Sequence, residues 1–125
     1  MGLNKEDLAG RVIGAAINVH KHLGPGLLES AYEACLAIEF RHMGIPFEQQ
    51  KILPITYRNE SVDDAYRLDF VVNGELILEI KSAEVLAPIH IAQTLTYLRL
   101  TKIKTALLIN FNVPLLRDGI KRLSL

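Results

Sequence analysis

The chain has no tryptophan, one cysteine, only eight aromatic residues among 125, and no net charge. So few rings leave little for bases to stack on along a single strand. A lone cysteine, Cys35, excludes an internal disulfide and fits a reducing compartment. Its neighbours Ala34, Leu36 and Ala37 predict a buried thiol rather than a reactive one. Zero formal charge argues against a general polyanion binder. No apolar run reaches the roughly 20 residues a membrane-spanning helix needs. Glu6 and Asp7 stand where a secretory leader carries only positive charge, and Met1-Gly2 lacks the Ser or Thr at position 6 that myristoylation prefers. The expectation is a cytoplasmic protein with no membrane partner. His20, His22 and His42 are not spaced with each other or with a cysteine as a zinc site requires. Gly24 and Gly26 are followed by neither Gly-Lys-Ser nor a third glycine, so no nucleotide-binding loop is present.

Half of the residues are apolar and 22% are charged, the composition of an ordered globular protein. The length suits one domain, residues 1–125. The zero net charge hides an asymmetry. Residues 99–125 carry Arg99, Lys102, Lys104, Arg117, Lys121 and Arg122 against Asp118 alone, a net of +5, so residues 1–98 carry −5. A basic segment beside an acidic pocket suits an enzyme acting on nucleic acid; solvated surface charge is the plain alternative.

Apolar residues at three- and four-residue steps, from Leu8 through Val12, Ala15, Ala16 and Val19 to Leu23, predict an amphipathic helix over about 6–22. Gly24-Pro25-Gly26 stops it. Leu28, Ala31, Cys35, Ile38 and Met43 then line a second helix, ended by Gly44 and Pro46. Residues 52–58 read as a strand and 59–64 as a polar loop. Residues 66–72 and 76–81 are strands around Asn73-Gly74. Pro88 starts a third helix running to about Thr101. Residues 104–111 form an apolar strand suited to a sheet interior, and Asp118-Gly119 marks a turn before a short final strand.

Asp69 lies in one of these strands and Glu79-Ile80-Lys81 in the next. Two carboxylates offer hard oxygen ligands to a divalent ion, and an ammonium beside them steadies negative charge at a phosphodiester. The triplet alone means little, because fourteen acidic residues and seven lysines yield roughly one acidic-x-Lys by chance. Register adds to it. Leu68, Phe70 and Val72 are expected to share a buried face with Leu76, Leu78 and Ile80, leaving Asp69, Glu79 and Lys81 together on the other. A two-residue loop would set Asp69 against Leu78, whereas an odd loop with a left-handed Gly74 satisfies both patterns. The alternative for the carboxylates is a plain salt bridge with Lys81 or Arg67.

Gly26-Leu27-Leu28-Glu29-Ser30-Ala31-Tyr32 matches a GxxExxY signature, and Gly24-Pro25-Gly26 matches the turn before it. With Asp69, Glu79-x-Lys81 and Gln93-x-x-x-Tyr97, the chain resembles the GxxExxY family of the PD-(D/E)XK nuclease-like superfamily, from about His20 to Arg122. Arg67-Leu68-Asp69 departs from the Pro-Asp of the superfamily name. The resemblance implies an α/β restriction-endonuclease-like core, a mixed central β-sheet flanked by α-helices in the order α-α-β-β-β-α-β, with the acidic cluster at one sheet edge. It implies Mg²⁺- or Mn²⁺-dependent hydrolysis of nucleic acid, DNA being the expected substrate. Asp69, Glu79 and the Ile80 carbonyl would hold the metal, and Lys81 would position the attacking hydroxide. Glu29 would reach the metal from the second helix; alternatively it caps that helix at N3 with Gly26 as N-cap. Gln93 and Tyr97 would orient Lys81 or substrate, or are ordinary polar-face residues. Glu33 reads as solvated, His90 as an exposed helix-start histidine or a phosphate contact, and Tyr32 as core. The rival functions are a catalytically inactive module binding nucleic acid or protein, and a structural homo-oligomer held by an exposed apolar patch.

Overall fold

The computed structural model describes residues 5–125, with side chains from Leu8 onward. The readings that rest on Met1 and Gly2 lie outside the described residues, as do those on the side chains of Glu6 and Asp7. Helices α1 (Lys5–Leu23) and α2 (Glu29–Met43) precede strands β1 (Phe47–Tyr57), β2 (Glu60–Val72) and β3 (Leu76–Lys81). Helix α3 (Pro88–Thr101), β4 (Thr105–Asn110), a 3₁₀ turn (Leu116–Gly119) and β5 (Ile120–Ser124) follow. The helix stops are chemical. Gly44 takes a left-handed φ of 71° and its N–H meets the carbonyls of Arg41 and Phe40, as a C-terminal glycine does. Pro88 sits in the first turn of α3, where a missing N–H costs nothing.

The five strands lie in sequence order in one sheet. All neighbours are antiparallel except β3 and β4, which are parallel because α3 carries the chain back between them. Both faces are covered. Val12, Ala16 and Val19 of α1 and Tyr32, Leu36 and Phe40 of α2 pack with Phe70, Val72, Leu78, Ile80, Leu107 and Ile109. On the opposite face Tyr97 and Leu98 of α3 pack with Leu68, Val71, Ile77 and Ala106. Burial on two sides accounts for the unbroken apolar run of β4.

Several expectations need correction. Residues 59–64 are not a loop: β1 and β2 form one long hairpin that turns at Arg58-Asn59, both at positive φ. The buried face of α2 is Tyr32, Leu36, Ala37 and Phe40, whereas Leu28 and Ile38 are 78% and 57% exposed. The two aromatic rings carry more apolar area than the aliphatic residues weighed against them, and they set the face. Cys35 is half-buried rather than buried. Leu68 does not share a face with Phe70 and Val72 but packs with Tyr97. The alternation inverts in β1 too, since Phe47 joins the first cluster and Leu53 the second. Between them Gln50 has a left-handed φ of 51°, yet the register is unchanged: Gln49 pairs Phe70 and Lys51 pairs Leu68. Both strands therefore turn their side chains over at Gln50 and Asp69 without slipping.

Gly119 is tightly enclosed. A Cβ there would collide with the Asn110 carbonyl and crowd Val113, whereas nothing among the described residues lies near one added at Gly10 of α1. Gly119→Ala is expected to destabilise the protein by about 1–3 kcal/mol, as overpacking does. Gly10→Ala is expected to stabilise it by roughly 0.5–1 kcal/mol. Urea unfolding curves with unchanged slopes would measure both.

Candidate active site at the end of the β2–β3 ladder

The β2–β3 ladder pairs Val72 with Leu76, Val71 with Ile77 and Phe70 with Leu78, and there it ends. The hairpin loop has three residues, with Asn73 and Gly74 both left-handed, so the next rung would set Asp69 against Glu79. Side chains take over that rung. The Asp69 N–H donates to Glu79 Oε2 at 2.8 Å, and the Ile80 N–H donates to Asp69 Oδ2 at 2.8 Å. Each carboxylate thus has one oxygen committed to the opposite backbone, and neither Asp69 Oδ1 nor Glu79 Oε1 has a backbone partner among the described residues. A strand residue presents its N–H and C=O along the same edge, so the Ile80 carbonyl faces the same gap. The Lys81 carbonyl faces the other way and accepts the Phe111 N–H at 2.9 Å. The cluster therefore sits between two interior strands at the carboxyl end of β3, not at a lateral edge of the sheet.

Burial pushes the Glu79 carboxyl up to about 8; the Asp69 charge adds to this, while the Asp69 N–H and Lys81 oppose it. Asp69 is also raised, by burial first and by Glu33 and Glu29, against its bond to Ile80 and the nearby Lys81 charge. Burial, then Glu79, Asp69 and Tyr66, lift the Tyr97 hydroxyl to about 12, which places Tyr97 within the field of both carboxylates. The ion pair found among the described residues is Lys51–Glu48; neither Lys81 nor Arg67 forms one with Asp69 or Glu79. The carboxylates are therefore not consumed by a structural salt bridge.

Glu29 opens α2 directly after an N-cap at Leu28, so it is not at N3. Its Oε2 accepts the Ser82 N–H at 3.3 Å, which brings it to the residue after Lys81. The preceding turn, with Gly24 and Gly26 at φ of 71° and 92°, is fastened by the buried Tyr32. The Tyr32 hydroxyl donates to the Gly24 carbonyl at 2.6 Å and accepts the Leu27 N–H at 3.1 Å. Glycine, glutamate and tyrosine of the signature thus form one device: glycines permit the turn, tyrosine locks it, and glutamate is delivered to the end of β3.

Gln93 is half-buried and borders, with Tyr66 and Ile89, a cavity of about 240 Å³ on the α3 side; no hydrogen bond joins it to Lys81 among the described residues. Tyr97 stacks edge-on against Tyr66 at 5.6 Å. His90 is structural, its Nδ1 accepting the Ala87 N–H at the start of α3. Glu33 is not merely solvated: its two oxygens accept the side-chain amides of Gln49 and Gln50, each at 2.6 Å. Gln50 Nε2 also lies 3.4 Å from Asp69 Oδ1. Asn110, opposite Lys81 in β4, is buried. It clamps the loop after Lys81, accepting the Ala83 N–H at 3.1 Å and donating to the Ala83 carbonyl at 2.9 Å. Sequence reasoning singled out neither Gln50 nor Asn110. A polar residue in an otherwise apolar strand was the available signal for Asn110; nothing marked Gln50.

Two carboxylate oxygens not held by backbone, one of them 3.4 Å from the Gln50 amide, and a backbone carbonyl make a hard oxygen set suited to Mg²⁺ or Mn²⁺ rather than to a soft metal. Among the described residues no group of three or more His, Cys, Asp or Glu side chains converges as a metal cluster. The donor set fits an ion only with the carbonyl and water completing its shell, which is how Mg²⁺ is commonly held.

The raised Glu79 pKa fixes a sign. An acid whose folded pKa exceeds its unfolded value, here about 8 against 4.5, holds its proton more tightly when folded. Its stabilisation is full below pH 4.5 and is lost as pH rises through 8. In chelator, the wild-type melting temperature is expected to fall between pH 5 and pH 8.5 relative to Glu79→Gln, which cannot ionise. Parallel curves from calorimetry of the two proteins would contradict this.

No curated protein and no solved structure gives a match to this chain. The five-stranded mixed sheet flanked by helices is consistent with a restriction-endonuclease-like fold. The profile of the PD-(D/E)XK nuclease superfamily matches residues 6–123, nearly the full length, and the chain belongs to that superfamily.

Proposed function

We propose that the chain is a single nuclease-like domain of the GxxExxY family that hydrolyses phosphodiester bonds of nucleic acid, with DNA as the substrate and Mg²⁺ or Mn²⁺ as the cofactor. One observation carries this reading. Glu79 accepts the Asp69 N–H and Asp69 accepts the Ile80 N–H, each with its second oxygen free of a backbone partner among the described residues, and Lys81 stands beside them with no ion-pair partner among the described residues. The coupled turn, Glu29 and Tyr32 support the family assignment.

Asp69, Glu79 and the Ile80 carbonyl would hold the cation, with Glu29 approaching from α2. A divalent ion supplies Lewis acidity, polarising a phosphoryl oxygen and lowering the pKa of water. Glu79 must give up its proton to become a ligand, so ion binding releases a proton and strengthens as pH rises. Lys81, an ammonium with no ion-pair partner among the described residues, orients the attacking hydroxide and offsets the charge that accumulates on the phosphoryl oxygens in the transition state. Burial of Glu79 and Tyr97 lowers the local dielectric and strengthens these interactions. Tyr97, which lies within the field of both carboxylates, and Gln93, one turn earlier on α3, orient Lys81 or substrate.

Lys81 is not a ligand, so Lys81→Ala is expected to retain the Mn²⁺-induced rise in melting temperature. It is expected to lose about 10²-fold or more in turnover, the usual effect of removing one charge-stabilising group. Asp69→Asn is expected to lose both. The check is cleavage of single- and double-stranded DNA and RNA with Mg²⁺, Mn²⁺ or EDTA. Wild-type protein that cuts none of them, yet binds nucleic acid equally with and without Lys81, would be an inactive binding module.

A further inference from the structure

The basic residues at the end of the chain do not form one patch. Lys102 and Lys104 precede β4, at the end of the sheet away from Lys81, whereas Arg117 lies beyond the carboxyl end of β4. There it meets Lys21 from the last turn of α1 across a cavity of about 580 Å³, walled by Ile17, Pro25, Pro114 and Leu115. Both cations are exposed, and neither forms an ion pair among the described residues. The cavity floor is tied to the candidate site. The His20 ring nitrogen Nε2 lies 2.8 Å from the Val113 carbonyl and 3.2 Å from that of Phe111. The Phe111 N–H in turn donates to the Lys81 carbonyl. On the near side, the turn bearing Gly24 and Pro25 is fixed to the end of β3, because Ser82 Oγ donates to the Leu27 carbonyl at 2.6 Å. The cavity thus lies beyond the carboxyl ends of the two parallel strands, at the end of the sheet where β3 closes with Lys81.

We propose that this cavity seats one nucleotide of the substrate strand adjacent to the cleaved phosphate. The base and sugar lie against the Pro25, Pro114 and Leu115 walls, and the phosphate lies between Lys21 and Arg117. The inference rests on the nucleic-acid reading above and adds to it a subsite away from the carboxylates. An apolar chamber of this size admits a small organic group, and two exposed cations at its rim select an anionic one. With no tryptophan and few rings elsewhere, proline and leucine surfaces supply the apolar contact that aromatic side chains supply in other strand-binding grooves.

The test is binding of a labelled single-stranded DNA oligonucleotide in EDTA, so that cleavage does not intervene. The double variant Lys21→Ala/Arg117→Ala is expected to bind about 10-fold more weakly or worse, with the salt slope reduced by about one, the share of the single phosphate the two cations hold. Lys102→Ala/Lys104→Ala, at the far end of the sheet, is expected to bind as wild type. Leu115→Trp places a single fluorophore at the wall of the cavity, and its emission is expected to change on adding oligonucleotide and to saturate at the same concentration. Wild-type affinity and slope in the double variant, or a Leu115→Trp signal that answers to anionic lipid vesicles but not to oligonucleotide, would overturn the proposal. If the protein cuts DNA while the double variant binds normally, the subsite fails and the nuclease reading stands. If no substrate is cut but the binding losses appear, the nuclease reading fails and the subsite stands.

Discussion

The exchange between Asp69 and Glu79, each carboxylate accepting a backbone N–H from the opposite strand, is the constraint around which the site is built. It replaces a rung of an antiparallel ladder. A buried carboxylate is costly unless it is hydrogen-bonded, and a buried N–H is costly unless it has an acceptor. Here each strand relieves the other's deficit. The exchange also sets direction, since each carboxylate is held by one oxygen and faces the gap with the other. The strands part at this point, and the opening between them is where the two acids, Ile80 and Lys81 meet.

The cost of that opening is visible in the neighbouring elements. Glu79 is buried with its pKa lifted to about 8, and Gln50 takes a left-handed backbone that non-glycine residues adopt at some energetic expense. The inversion at Gln50 and Asp69 lets β1 and β2 serve both layers, with Phe47, Phe70 and Val72 packed toward α1 and α2 and Leu53 and Leu68 toward α3. The same inversion carries the Gln50 amide to Glu33 and Asp69. Packing and site geometry are therefore set by a single local distortion in two paired strands.

Much of the fold was legible because its signals are local. Gly44 and Pro88 bound helices where glycine and proline are expected to, and β4 reads as a strand buried on both faces. The opposition of Asp69 and Glu79 followed from parity alone, because a two-residue loop would have set the apolar patterns of β2 and β3 against each other. What escaped the sequence was non-local. The left-handed conformations of Arg58 and Asn59 turn what reads as a polar loop into a long hairpin. Leu68 carries the alternation of its neighbours in sequence but not in space, because the inversion at Asp69 depends on a partner in another strand. The face of α2 depended on the volume of Tyr32 and Phe40 rather than on a count of apolar positions.

The candidate site divides the same way. Asp69, Glu79 and Lys81 could be named from a triplet in a strand context, and Glu29 from its signature. Their supports could not. Gln50 reaches the site only through its unusual backbone. Asn110 looks like a polar interruption of an apolar strand until β3 lies beside it and its amide is seen to hold both polar groups of Ala83. Lys81 needs that clamp, because β3 ends at Lys81 and the chain leaves the sheet at once. The Phe111 N–H on the Lys81 carbonyl and Asn110 on Ala83 extend the parallel pairing beyond the last strand residue. A long, flexible lysine can act at a defined point only if its backbone is fixed on both sides. In this chain β3 fixes the near side, and a single buried asparagine with its neighbour fixes the far one.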